Sequence, residues 1–487
     1  MWIYWLALIA GAILPLAFSP FGIYAIAFMS PALLCYLWIK STPKQALLCG
    51  LIFGIGFFGI GFSWISISIH NFGNVSLWLT WIATLGLACF LSLFIAIPGY
   101  LFQRYGGTKS LALQCLCLFP SVWLLSEYLR STLLTGLPWL LLGYSQTDSF
   151  LRGLSPLIGT YGISLVITLI AGSFVLCLTS KTLKNRLIAI GILLILIIPA
   201  SLLHDITWSK STGKPIKVSL IQGNFEQFLK WDSHLLRTIL QTYLQLSMQH
   251  RDSRIIVWPE AAIPFYPNQL PSYMDQIKTL ASDSNTLFLL GAPTTSKDKK
   301  RFFNSLLMVG STSEQYDKHF LVPFGEYTPL ESWLKPLFDS FSVPMSDFSK
   351  GRKQQGILHD QGLKIAPFIC YEIIYPNYVI KHSMGSQLLV VINDDGWFGR
   401  SIALAQHLQM AQMAALETNR FVLFCSNTGI TAIIDPLGKV TESGPIDQRL
   451  VVTGSVTPQH GNTPLMVIGF LPTAIITVLL LLLGLIL

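Results

Sequence analysis

The stretch Lys364-Ile365-Ala366-Pro367-Phe368-Ile369-Cys370-Tyr371-Glu372-Ile373-Ile374-Tyr375 decides the fold. Lys364–Ile369 is an apolar, β-rich run, Cys370 stands at its end, and Tyr371–Tyr375 reads as a short helix. A thiol at such a strand-to-helix turn is expected to be exposed, with the helix N-terminus favouring its thiolate. Two other segments repeat the arrangement. Arg254–Trp258 is a β-rich run that leads through Pro259 to Glu260, and Tyr316-Asp317-Lys318 leads through the apolar run Phe320–Phe324 to Gly325-Glu326-Tyr327. Together they offer a carboxylate, an ammonium and a thiol, a set able to run acyl transfer through a thioester. In apolar surroundings Glu260 is expected to have a raised pKa and to accept the thiol proton. Lys318 supplies a fixed positive charge for the oxyanion of a tetrahedral intermediate. No histidine stands in a comparable place.

Around these segments β-rich runs alternate with helical patterns. Strands are predicted over Ile216–Gln222, Arg254–Trp258, Leu287–Gly291, Ser305–Val309, Ile365–Ile369, Leu388–Ile392, Phe421–Cys425, Thr431–Ile434 and Val451–Ser455. Helices are predicted over Ser233–Gln249, Tyr273–Ser282 and Leu404–Thr418. This alternation argues for an α/β sandwich. There is no Gly-rich phosphate loop and no Cys/His spacing for zinc, so neither a cofactor nor a metal is expected. Six of the eight cysteines lie in apolar runs and read as small buried hydrophobes.

The rest of the chain is built for a membrane. Only 11% of the 487 residues are charged, against about 25% in an ordinary soluble domain. Before Leu203 the acids are Glu127 and Asp148 alone, against nine Lys or Arg, so this part supplies +7 of the net charge of +8. The basic excess is thus no patch on a folded domain, and nucleic acid is excluded as a partner. Apolar runs approaching or exceeding the ~20 residues that cross a bilayer lie near Ile3–Phe18, Ile23–Trp38, Ala46–Ile67, Leu77–Phe102, Leu111–Tyr128, Leu154–Leu178, Leu187–Leu203 and Leu465–Leu487. The first two are short enough to form a helical hairpin, and the first reads as a retained span rather than a cleaved signal peptide. Loops after the second, fourth and sixth runs hold Lys40, Lys44, Arg104, Lys109, Lys181, Lys184 and Arg186. Those after the third and fifth hold only Arg130 and Arg152. The positive-inside rule then places both termini in the cytoplasm and the polar region outside it. The expected architecture is a transmembrane domain of seven spans over 1–204, an extracytoplasmic domain over 205–462 and a last span over 463–487. Leu133–Leu142, broken by Gly136 and Pro138, is expected to lie at the outer interface as a half-helix. Glu127 and Arg130 at that edge read as a structural ion pair.

The three reactive segments resemble the nitrilase superfamily, whose shared pattern is a Glu-Lys-Cys triad in an αββα sandwich. Eight spans around one external domain of this kind resemble the apolipoprotein N-acyltransferase family more closely. So do Leu229-Lys230-Trp231-Asp232, Trp258-Pro259-Glu260, Val322-Pro323-Phe324-Gly325-Glu326-Tyr327, Cys370-Tyr371-Glu372 and Trp397-Phe398-Gly399, with Gly136-Leu137-Pro138-Trp139 and Gly143-Tyr144-Ser145-Gln146 in the membrane part. One departure stands out. The family usually has Asn-Asp one residue before Trp-Phe-Gly, whereas this chain has Asp394-Asp395-Gly396 before Trp397, with Asn393 one place outward.

The resemblance implies a polytopic α-helical membrane domain of about eight helices joined to a nitrilase-like αββα sandwich. It implies Glu260 as base, Lys318 as oxyanion stabiliser and Cys370 as nucleophile, with Glu326, Glu372 and Tyr371 in support. Trp231, Trp397, Phe398 and Gly143 are the expected substrate-binding positions. The implied partners are a membrane phospholipid as acyl donor, phosphatidylethanolamine being the family's usual one, and diacylated lipoproteins as acceptors. The implied setting is a monomer in the bacterial inner membrane with its catalytic domain on the periplasmic side. The alternative is a membrane-anchored amidase that discharges its thioester to water. Seven spans before the domain argue against it, because one anchor would serve a hydrolase of soluble substrates.

Overall fold

Successive residues of a strand point to opposite faces. The computed structural model of the chain, which describes residues 1–73, 75–327 and 348–487, turns the predicted alternation into two six-stranded sheets. One runs in the order Leu450–Val456, Ile216–Gln222, Ile255–Val257, Leu287–Thr295, Phe302–Val309, Ser313–Asp317. The other runs Val440–Ser443, Ala432–Ile434, Phe421–Ser426, Leu388–Asn393, Leu363–Ile369, Leu358–Asp360. Each sheet has three central strands paired in parallel and antiparallel strands at its edges. Val218, Leu220, Ile255, Val257, Leu287 and Leu289 of the first sheet share one buried core with Ile365, Ile369, Leu388, Val390, Ile392 and Leu423 of the second. On the outer face of the first sheet, Ile256, Phe288 and Leu290 pack with Ile239 and Tyr243 of the helix Leu236–Met248 and Ile277 of the helix Pro271–Ser284. The helix Ile402–Thr418 lies along Phe421–Ser426 of the second. The layers are therefore helix, sheet, sheet, helix.

Contacts divide the chain into two units. One comprises Met1–His70, Ser76–Ile206 and Val467–Leu487; the other comprises Asn71–Val75 and Thr207–Met466 and contains both sheets. In the first, five helices are long and apolar enough to cross a membrane: Pro43–Gly61, Leu77–Gly106, Leu111–Thr135, Phe150–Thr179 and Leu183–Leu202. Trp2–Ala17, Ile26–Ile39 and Leu471–Ile486 are shorter and equally apolar. Small residues let these helices approach closely. A Cβ on Gly54 would stand 2.6 Å from Ser92 Cβ, and one on Gly50 would stand 2.7 Å from Ile95 O, both on the helix Leu77–Gly106.

The segment 133–142 is not the interfacial half-helix its length suggests. After a single turn at Leu133–Thr135 the backbone is irregular, and Trp139–Leu142 are buried within the unit. Irregular backbone survives at such a place only if its polar groups are satisfied by protein. Arg130 Nη1 donates to Leu137 O and Trp139 O, both at 2.6 Å, and Glu127 accepts from Leu142 N at 2.8 Å. Glu127 and Arg130, expected as an ion pair, instead direct hydrogen bonds to the loop backbone, and Glu127 also accepts from Trp123 Nε1 at 3.1 Å.

Candidate active site

Parallel strands deliver their carboxyl ends to one edge, where side chains from several elements converge. Ile255–Val257 hands the chain through Trp258 and Pro259 to Glu260; Leu363–Ile369 hands it to Cys370; Leu388–Asn393 hands it to Asp394. Lys318 follows Ser313–Asp317, and its own N–H is pinned to Asn304 O at 2.8 Å. Cys370 turns from strand into a 3-10 helix, Cys370–Ile374, with φ +51°, a left-handed conformation that a non-glycine residue adopts at a cost. Ala261 and Phe324, next to Glu260 and near Glu326, share it with φ +49° and +63°.

The structure brings three of the expected residues into one buried cluster. Lys318, 1% exposed, donates from Nζ to Glu260 Oε1 at 3.2 Å and to Glu326 Oε1 at 3.0 Å. Asn304 lies between the two carboxylates, donating from Nδ2 to Glu260 Oε1 at 2.6 Å and to Glu326 Oε1 at 2.8 Å. Val322 N holds the other oxygen of Glu326 at 2.8 Å. Asp394 N holds Glu260 Oε2 at 2.9 Å. Burial alone would raise the carboxyl of Glu260, but Lys318, the Asn304 hydrogen bond and Lys230 outweigh it, and its pKa lies below the ordinary value. The expectation of a raised base is therefore reversed, because the apolar strand end is lined with cations that its own sequence does not show. Burial would lower Lys318, yet the charges of Glu260, Glu326 and Cys370 hold it well above the usual lysine range.

Cys370 also departs from expectation. It is 7% exposed, not presented to solvent. Burial, and then the charge of Glu260, push its thiol well above the usual range, with Lys318 pulling the other way. A short 3-10 turn does not offset that burial. At rest the pair is a neutral thiol beside an ionised carboxylate.

Glu372 is fully buried and holds the segment carrying Lys318 against the turn carrying Cys370. Its Oε1 accepts from His319 N at 2.7 Å and Phe320 N at 3.2 Å, its Oε2 from Ile369 N at 2.9 Å, and both from Tyr316 Oη. Tyr371 is buried; burial pushes its hydroxyl up to about 12, against the pull of its hydrogen bond with Tyr375. Trp231 and Trp397 are 51% and 44% exposed, and Trp397 meets Phe72 edge-on with ring centroids 4.7 Å apart. Phe398 lies edge-on to His407. Gly143 lies in the other unit, where its N–H donates to Ser164 Oγ at 2.9 Å and a Cβ would stand 2.1 Å from Thr160 O, so its place there is one of close packing.

Three further residues were given no role from sequence. Asn304 is a polar residue inside the strand Phe302–Val309, and that interruption was its only signal. Lys230 is buried and bonded to the site although it stands among solvent-facing neighbours. His407 sits beneath the turn, with Nε2 3.3 Å from Cys370 O and Nδ1 3.0 Å from Asp395 Oδ1.

The arrangement can pass a proton from sulfur to carboxylate and hold a new anion beside Lys318. Comparison with known proteins gives the family. The apolipoprotein N-acyltransferase N-terminal domain matches residues 10–173, and the carbon-nitrogen hydrolase domain matches residues 217–460. The apolipoprotein N-acyltransferase of Coxiella burnetii is 45% identical over 478 residues, 98% of this chain and 99% of that one. That of Azotobacter vinelandii is 40% identical over 484 residues, covering 98% and 93%. Among solved structures, Saccharomyces cerevisiae Nit3, a member of branch 10 of the nitrilase superfamily, aligns with a TM-score of 0.39 and 14% identity over 51% of this chain and 93% of that chain. The chain belongs to the apolipoprotein N-acyltransferase family.

Proposed function

We propose that this protein moves an acyl chain from a membrane phospholipid to the α-amine of an N-terminal diacylglyceryl-cysteine, through a thioester on Cys370. The observation that carries the reading is the buried Glu260–Lys318–Glu326 cluster beside a neutral thiol, in a chain whose described residues include five helices able to cross a membrane. In the first half-reaction Glu260 takes the thiol proton as sulfur attacks the ester carbonyl. The proton transfer leaves the net charge of the site unchanged and moves the negative charge from carboxylate to sulfur, still opposite Lys318. Lys318 then stabilises the tetrahedral oxyanion. The carbon–oxygen bond breaks and Glu260 returns the proton to the departing lysophospholipid. In the second half-reaction Glu260 takes a proton from the amine as it attacks the thioester; the carbon–sulfur bond breaks, an amide forms, and Cys370 is reprotonated. Glu326 and Asn304 hold Lys318 and Glu260, and Glu372 and Tyr371 support the turn around the nucleophile. Trp231, Trp397 and Phe398 line the approach of the lipids.

The donor is taken to be phosphatidylethanolamine and the acceptors diacylated lipoproteins. The protein is taken to act as a monomer in the bacterial inner membrane, with 1–204 and 463–487 as its membrane parts and 205–462 on the periplasmic side. The loop charges support that orientation. A thioester stores the reactivity of the donor ester, which suits a compartment without ATP.

The test is intact-protein mass spectrometry of the full chain supplied with phospholipid. An acyl adduct should appear, vanish in Cys370→Ala, and discharge when a diacylated lipopeptide with a free amine is added. Absence of any adduct, or discharge to water as fast as to the amine, would overturn the reading in favour of none or of the amidase. Labelling from outside of a cysteine placed at residue 300 tests the orientation.

A further inference from the structure

Beside the triad lies a buried pair formed by Lys230 and Asp394. Both are nearly inaccessible, Lys230 at 1% and Asp394 at 4%, and Lys230 Nζ donates to Asp394 Oδ2 at 2.7 Å. A paired charge at such depth is costly to form and gives little net stability, so its persistence asks for another role. Each member also makes a bond to Glu260, while Asn427 Nδ2 reaches Asp394 Oδ1 at 3.5 Å from the other side. Lys230 Nζ donates to Glu260 O at 2.8 Å, and Asp394 N donates to Glu260 Oε2 at 2.9 Å. The residue is thus gripped at its backbone and at one carboxylate oxygen by two members of a single ion pair.

The hydrogen-bond count of the carboxylate then singles out one atom. Each oxygen of a carboxylate has about two lone-pair sites. Among the described residues, Oε1 already accepts from Lys318 Nζ and Asn304 Nδ2, whereas Oε2 accepts from Asp394 N alone. One site is left, on Oε2. We propose that Lys230 and Asp394 are positioning residues that aim Oε2 of Glu260 at the Cys370 thiol, making Oε2 the atom that takes and returns the proton. The pair also reaches outward. With its amide turned to satisfy both neighbours, Gln227 donates to Asp394 Oδ2 at 2.7 Å and accepts from Trp397 Nε1 at 3.3 Å. The same clamp therefore ties the base to an exposed indole.

The charged and titratable groups around Glu260 are Lys318, Glu326, Cys370, Lys230 and Asp394. Of these, Lys230 pulls the carboxyl of Glu260 down. The proposal deepens the reading of Glu260 as base, so the experiment follows single-turnover acylation of Cys370 in the full-length protein against pH, with phospholipid as the probe. Lys230→Met should slow acylation about tenfold to hundredfold at saturating lipid, as a small misplacement of a catalytic group does, with the lipid KM unchanged. Its acid limb should move to higher pH. Asp394→Asn keeps the backbone donor to Oε2 and removes a negative charge, so its acid limb should move to lower pH with a smaller change in rate. Lys230→Met leaves Asp394 unpaired and can fail to fold for that reason, so the double variant Lys230→Met/Asp394→Asn removes both charges together. Folded, it should still acylate slowly. A folded double variant with the wild-type rate and acid limb, or two single variants whose limbs move the same way, would overturn the proposal. Failure of the wild type itself to acylate would instead overturn the underlying reading of Glu260.

Discussion

Replacing Asn304 with alanine removes the one neutral donor that serves both carboxylates. The two hydrogen bonds lost, at 2.6 and 2.8 Å, go to ionised acceptors in a buried site. Each such bond is worth about 1.5–3 kcal/mol, so about 3–6 kcal/mol is lost if nothing replaces them. Water entering the space of the amide recovers part, which brings the expectation to about 3 kcal/mol. In a domain of this size the melting temperature falls about 2–4 °C for each kcal/mol, giving a drop of about 6–12 °C. Acylation should fall by about tenfold to hundredfold as Oε1 of Glu260 loses its anchor. The pH dependence has a definite sign. Glu260 is held below its ordinary value, so its ionised form stabilises the fold above the unfolded pKa, and this contribution is lost as pH falls through the folded value. Asn304 supplies part of it, so the gap between variant and wild type should be widest near neutral pH and narrow in acid. Scanning fluorimetry of the purified protein, paired with single-turnover acylation, measures both. A shift of less than about 2 °C with unchanged acylation would show that the amide holds neither carboxylate.

Three further outcomes are expected. Acylation of Cys370 in the wild type should be flat between pH ~6 and ~9 and fall only below the ordinary carboxylate range, because the proton acceptor is a depressed carboxylate and the thiol lies well above its usual value; a tenfold rise per pH unit above 7 would mean that a free thiolate attacks. Cys370→Ser should accumulate no acyl adduct, since Glu260 as a depressed carboxylate is too weak a base for an alcohol, and a serine ester detected by mass spectrometry would refute that. Gly143→Val should lower the melting temperature through overpacking worth about 1–3 kcal/mol, because its Cβ would stand 2.1 Å from Thr160 O; an unchanged melting curve would show that the contact relaxes freely.

The sheets were legible wherever a strand carries apolar residues on the shared core face. All nine predicted strands are present, and helices lie within or over the three predicted stretches, the first running only over Leu236–Met248, with a 3-10 turn over Cys370–Ile374. The strands not predicted, Ser313–Asp317, Leu358–Asp360, Val440–Ser443, Lys210–Ser211 and Gln459–His460, are short, and Val440–Ser443 and Lys210–Ser211 are exposed along most of their length. An edge strand buries too little apolar surface to impose a period on its sequence, and its identity is set by the neighbour it pairs with. The segment 133–142 was misplaced for a related reason. Its length and its Gly and Pro speak of a broken helix, but its burial rests on a preceding helix, from which Arg130 donates to its carbonyls and Glu127 accepts from its N–H.

At the candidate site, the side chains that converge were legible and their electrostatics were not. Glu260, Lys318 and Cys370 each stand at a strand end, and that is a local pattern. Whether a carboxyl or thiol there is raised or lowered depends on what the other strand ends bring. Lys230 and Asp394 meet across 164 residues, Lys318 and Glu260 across 58, Asn304 and Glu260 across 44. Local apolarity by itself argues for a raised glutamate, and it fails because the desolvation it causes is overcome by cations arriving from elsewhere. The same desolvation acts on Cys370 with fewer opposing charges, and there it prevails. The two reversals are coupled. Burial first, and then a carboxylate kept ionised by remote lysines, hold the neighbouring thiol neutral; in the proposed reaction that carboxylate becomes a competent base only when attack on the ester gives the sulfur somewhere to place its charge. Such a site needs no histidine, because the proton moves between two groups whose joint charge, facing Lys318, does not change.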